Sequence, residues 1–375
     1  MDYNSTSFCP APWTSVFLNP DGRVDSCCVS SNRLGDVNQQ SFTDIIASDT
    51  NVSVKQSILN QTLPVGCKQC KPDQRSLRTE FVKWFEKSPQ TLYASADNFQ
   101  LKYLDLRWRN TCNLACIYCN SELSSSWAQE LGHVHRINNT QLHSIQDYVI
   151  ENVKDLEYVY LAGGEPLLIK ENEAILEQLY KENPNCQLRV NTNLSNINNR
   201  IFELITKFDR VHWIVSGEGI GEQYDYVRYG GVWSEFYDNL KELKKLANRH
   251  TITFNSVYCA LTTQSIFDFV DEIGKLKFDI NTICPLYYNN GSGGPLDPRN
   301  LPSNVINQAK ETIELKLTQL PSGYFTSTLQ EILNTLNMPY SNENFTNLFD
   351  TINELDVRRN IDSKKIFPTI YQTQL

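Results

Sequence analysis

The chain has 375 residues, a formal net charge of −9 and 11 cysteines. Its 40% hydrophobic and 11% aromatic content is that of a packed chain and excludes wholesale disorder. The acidic balance, without any lysine- or arginine-rich run, argues against nucleic acid or an anionic membrane surface as a main partner. No uninterrupted apolar run reaches the roughly 18 residues of a membrane span.

The start "MDYNSTSFCP" shows no basic-then-apolar leader. The expectation is therefore a cytoplasmic protein whose thiols serve metal or redox chemistry rather than disulfides. Residues 1–80 hold Cys9, Cys27, Cys28, Cys67 and Cys70, the turn "NPDGR" (19–23) and one helical stretch near 41–60. So small a region has a thin core, for which Phe8, Trp13 and Phe17 are the candidates, and it gains from a metal staple. Taken alone, Cys67-x2-Cys70 with two further cysteines is also good zinc-ribbon spacing.

Residues 98–290 alternate strand-like and helix-like runs. The strand-like runs are "LKYLDLRW" (101–108), "LEYVYLAGG" (156–164), "CQLRVNTN" (186–193), "RVHWIVSG" (210–217), "TITFNSVYC" (251–259) and "NTICPLYY" (281–288). Between them lie amphipathic helices over 170–182, 232–248 and 265–276, with Phe236, Leu240, Leu243 and Ala247 on one face of the second. Six strands with intervening helices predict an α/β fold of repeated βα units around a parallel sheet. Such sheets carry their chemistry at the carboxyl ends of the strands. The central cysteine cluster follows the first strand, while "GGEP" (163–166), "NTN" (191–193) and "SGEG" (216–219) close the next three. "NNGSGGPLDPRN" (289–300) reads as a flexible connection or lid before a helical tail over 300–375.

The central cluster is "RNTCNLACIYCN" (109–120), with Cys112, Cys116 and Cys119 in C-x3-C-x2-C spacing. Structural zinc takes four ligands in a closed shell, so a zinc loop here needs a distant fourth ligand. A four-iron, four-sulfur cube held by three thiolates instead leaves one iron open to a non-protein ligand.

C-x3-C-x2-C with Tyr118 before the last cysteine resembles the signature of radical S-adenosylmethionine (SAM) enzymes. The resemblance implies a TIM-like partial (β/α)6 barrel and a 4Fe-4S cluster whose open iron chelates SAM. It also implies reductive cleavage of SAM to a 5′-deoxyadenosyl radical that removes a hydrogen atom from a substrate. "GGEP" resembles the family's motif for the SAM amino group, which assigns Gly163, Gly164, Glu165 and Pro166 to SAM. Asn191 and Asn193 stand where the third strand contributes polar contacts, or cap the next helix. "SGEGIGEQYDYVR" (216–228) is similar to the fourth-strand stretch. It implies ribose contacts from Ser216 and from Glu218, which stands in place of the usual aspartate, and a SAM carboxylate contact from Arg228.

The N-terminal stretch "FCPAPWTSVFLNPDGRVDSCC" with "LGDV" and "CKQC" resembles the SPASM and twitch auxiliary-cluster modules. By that resemblance Cys9, one of Cys27 and Cys28, Cys67 and Cys70 ligate a second 4Fe-4S cluster. "LDVRRNIDSKKIFP" (355–368) resembles the closing segment of a twitch-containing radical SAM group. The implied partners are a peptide or a sugar- or nucleotide-like small-molecule substrate, and a reducing donor such as flavodoxin or ferredoxin. Two rival classes are a non-enzymatic electron carrier with two cubes and a zinc-stapled interaction protein. Cys186, Cys259 and Cys284 are expected as buried small hydrophobes, and His212 as a packed strand residue.

Overall fold

The computed structural model describes residues 5–68, 70, 76–133, 139–288, 294–340 and 345–371. They form two compact units. One comprises Met1–Cys112, Ser121–Asn191 and Asn196–His212, the other Asn113–Asn120, Thr192–Ser195 and Trp213–Leu375.

The first unit is built on strands β1 (Ser15–Leu18), β2 (Arg23–Asp25), β3 (Gly35–Asp36), β4 (Tyr103–Leu106), β5 (Tyr158–Leu161) and β6 (Gln187–Thr192). Their order is β3-β2-β1-β4-β5-β6. β1 to β3 pair antiparallel, while β1–β4, β4–β5 and β5–β6 are parallel. The cysteine-rich segment thus contributes β1, β2 and β3 to the sheet, three strands absent from the expected six.

Register explains the two faces of this sheet. Val16, Leu104, Val159 and Leu188 form one row across four strands, and all are buried. The adjoining row is Phe17, Asp105, Tyr160 and Arg189, which by strand alternation points the other way. Helix Leu77–Phe85 closes part of that second face. Its Trp84 stacks on Tyr158 at 4.6 Å and on Tyr103 at 5.7 Å. The Arg189 guanidinium lies 4.7 Å from the Trp84 ring and 3.3 Å from Glu80. Phe8 and Trp13 form a core with Val54, Ile58 and Tyr93. Phe17 is buried elsewhere, under the Arg107 guanidinium at 4.6 Å.

In the second unit the strands run β7 (Val211–Ser216, whose first two residues belong to the first unit), β8 (Thr251–Tyr258) and β9 (Ile283–Tyr287), in that order. β8 and β9 are parallel. Helices Trp233–Lys244 and Ser265–Lys275 bury the apolar faces expected of them. Their Phe236 and Phe269 rings lie so close to Gly217 that a Cβ there would meet them at 2.8 to 3.1 Å. The tail is helical as expected, in Ser303–Gln319, Tyr324–Leu336 and Phe345–Arg359.

Part of the expected lid, residues 289–293, lies outside the described residues. The remainder is pinned. Asp297, fully buried, accepts hydrogen bonds from Tyr287 Oη at 2.7 Å and from Arg299 Nε and Nη2 at 3.0 and 2.8 Å. Cys186 and Cys259 are buried as expected. Cys284 is not. It is half-buried, because alternation on β9 turns it toward helix Tyr324–Leu336, where its Sγ lies 3.1 Å from Tyr324 Oη. His212 is half-buried, and burial, reinforced by the nearby Arg189 charge, lowers its pKa to about 4.

Among the described residues no helix is long and apolar enough to cross a membrane.

Candidate functional site

The central loop of the second unit, residues 113–120, is held by its main chain. Ala115 N–H donates to Tyr229 O at 2.8 Å and Ile117 N–H to Val227 O at 2.9 Å. Gly230 completes the fit with φ +94°, since a Cβ there would stand 2.8 Å from Asn113 O. Cys119 N–H closes back onto Cys116 O at 2.9 Å.

Around this loop three of the expected SAM residues, Tyr118, Glu218 and Arg228, form one buried network. Tyr118 Oη donates to Glu218 Oε1 at 2.7 Å. Arg228 Nη2 donates to Glu218 Oε2 at 2.8 Å, and the Val257 N–H reaches the same oxygen at 3.3 Å. Arg228 Nη1 lies 3.9 Å from Cys116 Sγ. Burial pushes the Tyr118 hydroxyl well above its usual range; Arg228 opposes this, while Glu218 and Cys116 reinforce it. An ion pair so removed from water recovers its desolvation cost only through hydrogen bonds of this kind.

Ser216 ends β7. Asn193 forms a turn rather than a helix cap. Its Oδ1 accepts from Ser195 N–H at 2.9 Å and its Nδ2 donates to Asn113 Oδ1 at 3.2 Å. The cap of the next helix, Arg200–Ile205, is Asn199.

In the first unit, Cys112 is fixed by two serines. Its N–H donates to Ser125 Oγ at 3.0 Å, and its carbonyl accepts from Ser126 Oγ at 2.8 Å. "GGEP" follows β5 directly. Gly163 and Gly164 have φ of +76° and +52°, and Cβ atoms there would stand 2.5 Å from Arg107 Cβ and 2.2 Å from Thr111 O. The close approach demanded of these glycines is to the protein's own chain just before Cys112. Glu165 is buried, its N–H donating to Thr111 O at 2.7 Å and its Oε1 accepting from Leu167 N–H at 3.1 Å. The Pro166 carbonyl accepts from Asn172 Nδ2 at 2.9 Å, and Asn172 Oδ1 accepts from Trp108 Nε1 at 3.0 Å. Asn172 carried no sequence signal, since a polar residue opening a helix is ordinary.

The N-terminal cysteines divide. Cys9, Cys27, Cys67 and Cys70 line one pocket with Leu77 and Arg78. Cys28 does not line it and stands instead near Asp105 and Arg107. Burial drives the Cys9 thiol up to about 12 and Cys27 well above its usual range. Asn32 Nδ2 donates to Cys67 Sγ at 3.3 Å. Among the described residues no three His, Cys, Asp or Glu side chains stand close enough to hold a single metal ion.

Buried donors and acceptors support the fit of a bound group in the second unit. Arg228 Nε, Tyr258 Oη and Ser265 Oγ are buried without a hydrogen-bond partner among the described residues. Ser265 Oγ borders Gly219, 3.1 Å from where a Cβ would sit. Buried polar atoms left so are uncommon in a finished fold.

Residues 108–273 match the radical SAM superfamily, and residues 9–71 match SPASM, an iron-sulfur cluster-binding domain. No curated protein matches the chain. Among solved structures it is similar to native anSMEcpe with bound AdoMet, at 16% identity and a TM-score of 0.40, covering 58% of this chain and 61% of that one. It is also similar to Streptococcus suis SuiB bound to precursor peptide SuiA, at 14% identity and a TM-score of 0.43, covering 80% of this chain and 67% of that one. The chain therefore spans 61% of the length of anSMEcpe. The two domain types bring a SAM-binding 4Fe-4S cluster and auxiliary iron–sulfur ligation with them. The chain carries a radical SAM superfamily domain over residues 108–273, with a SPASM iron-sulfur cluster-binding domain over residues 9–71 on its N-terminal side.

Proposed function

We propose that this chain uses SAM and a reduced 4Fe-4S cluster to start a hydrogen abstraction from a peptide or protein side chain in the cytoplasm. When bound, the cluster and SAM supply the electron and the 5′-deoxyadenosyl radical. The observation that carries the reading is the buried Tyr118–Glu218–Arg228 network beside Cys116.

In this reading Cys112, Cys116 and Cys119 are the cluster thiolates. Arg228 keeps one guanidinium edge toward Cys116 and leaves Nε for a carboxylate oxygen of SAM. Glu165, Asn193 and Ser216 contribute polar contacts to SAM, and Pro166 and the two glycines shape the turn that holds Glu165. Glu218 departs from its expected ribose role. Three protein donors already meet its carboxylate, and the extra methylene relative to aspartate gives it the reach to meet them. Its part is to hold Tyr118 and Arg228 in place.

Cys9, Cys27, Cys67 and Cys70 are the proposed ligands of an auxiliary cluster. Their shared pocket favours Cys27 over Cys28. Four thiolates leave no open iron, which suits electron transfer or a structural role. The SPASM domain favours a peptide substrate; a sugar- or nucleotide-like small molecule is the second reading.

The test is anaerobic incubation of the reduced, reconstituted protein with SAM. Formation of 5′-deoxyadenosine that is lost in Cys116→Ala supports the reading. No 5′-deoxyadenosine from a protein with full iron and sulfide content supports an electron carrier instead.

A further inference from the structure

The segment "LDVRRNIDSKKIFP" (355–368) contributes no residue to the Tyr118–Glu218–Arg228 network. Helix Phe345–Arg359 buries Leu348, Ile352 and Leu355, and 3.6-residue periodicity places Arg359 on the same stripe. Arg359 is only 7% exposed, while Val357, off the stripe, is 84% exposed. A guanidinium at a core position is costly unless its hydrogens are used.

Here one of them is used on the three-cysteine loop. Arg359 Nη2 donates to Ala115 O at 2.8 Å, and the guanidinium lies 4.2 Å from the Tyr229 ring centre. Ala115 directly precedes Cys116. Its N–H is already held by Tyr229 O, so both polar groups of that residue are committed, one to the segment leading away from Arg228 and one to the C-terminal helix.

The helix end is in turn laced down. Asp356 accepts from Tyr226 Oη at 2.8 Å, from Ser363 N–H at 3.0 Å and from Ser363 Oγ at 2.6 Å. Gln223 Nε2 donates to Ile366 O at 3.2 Å, and Phe367 packs edge-on against Tyr226 at 5.3 Å. Tyr226 and Gln223 belong to helix Gly221–Val227, which ends at Arg228.

We infer that Arg359 is a positioning residue for the SAM-binding cluster. It fixes the Ala115 carbonyl, and through it the direction in which Cys116 presents its sulfur, with Asp356 holding the helix end that carries it. The inference rests on the reading that Cys116 is a cluster ligand. Residues that orient ligands from behind tune affinity and potential without touching the metal, and a fixed positive charge near a cluster favours its more negative, reduced form.

The experiment compares full-length, reconstituted wild type with Arg359→Ala, Arg359→Lys and Asp356→Asn. It measures the reduction potential and EPR line shape of the cluster signal that responds to SAM, and the rate of iron release to a chelator. Arg359→Ala is expected to show a lower potential, an altered line shape and about 10-fold faster iron release. Lysine, which keeps the charge and one donor, recovers the potential more than the line shape. Asp356→Asn shifts both in the direction of Arg359→Ala by less, and serves alone if Arg359→Ala does not fold. Wild-type potential, line shape and release rate in Arg359→Ala, or in Asp356→Asn where only that variant folds, overturn the inference while leaving the cluster assignment intact. A wild type with no SAM-responsive cluster signal removes the assignment, and the inference with it.

Discussion

The Glu218 carboxylate stands 2.8 Å from the Arg228 guanidinium, with 0% and 4% of the two side chains exposed. A pair so placed is fixed by geometry and by mutual need. Neither charge has bulk water to fall back on, and each is oriented by a further contact, Glu218 by Tyr118 and Arg228 by Cys116.

Glu218→Ala is therefore expected to lower stability by about 3–5 kcal/mol, because it leaves an uncompensated buried charge. Arg228→Ala should do the same, and the double variant should lose clearly less than the two single losses summed. Denaturant midpoints of the three variants check this. Additive losses would mean the pair is not coupled.

Gly164→Ala puts a Cβ 2.2 Å from Thr111 O at a residue with φ +52°. Backbone cannot yield there without moving the chain that leads into Cys112. The expected loss is about 4 kcal/mol or more, with lower iron retention. Gly132→Ala also has positive φ but meets nothing within 4 Å, so it should cost about 1 kcal/mol and leave iron unchanged. Equal effects of the two substitutions would contradict the steric account.

Cys67→Ala and Cys27→Ala are each expected to remove the auxiliary cluster, whereas Cys28→Ala should retain it, since only the first two line the four-thiol pocket. Iron and sulfide content of the purified variants decides. Retention in Cys27→Ala together with loss in Cys28→Ala would reverse the choice.

His212 has its pKa lowered to about 4 by burial and then by the Arg189 charge. The unfolded chain takes up that proton near pH 6.5 and the folded one only near 4. Between those values the unfolded state binds more protons, so stability falls as pH drops from about 6.5 to 4 and this term is constant above. Thermal melts of wild type and His212→Gln should converge toward acid pH, relative to their separation at pH 7. A separation that widens on acidification would contradict the assignment.

Much of this was legible in the sequence, for physical reasons. β4 to β9 announced themselves because parallel strands buried by helices read as short β-branched and aromatic runs between amphipathic stretches. β1 did not. "SVFL" is four residues inside a cysteine-rich segment, and its partner β4 is remote in the chain. Cys27, and not Cys28, lines the four-thiol pocket beside a local turn, in which Ser30 N–H returns to Cys27 O at 3.1 Å. Two adjacent cysteines carry no sign of that. Arg359 left a faint signal, an arginine at the next position of an apolar stripe, but its partner Ala115 is visible only in three dimensions. Glu218 stands out in the sequence as a departure from aspartate, but its consequence, a carboxylate spent on three protein donors, is visible only in three dimensions.

The most direct test of the central claim is iron and acid-labile sulfide per chain after anaerobic purification and reconstitution, in wild type and in the Cys112→Ala/Cys116→Ala/Cys119→Ala variant. Wild type, with two cubes of four irons, should yield about eight of each, and the variant about four of each. Zinc without sulfide in wild type, or an unchanged content in the variant, would contradict it.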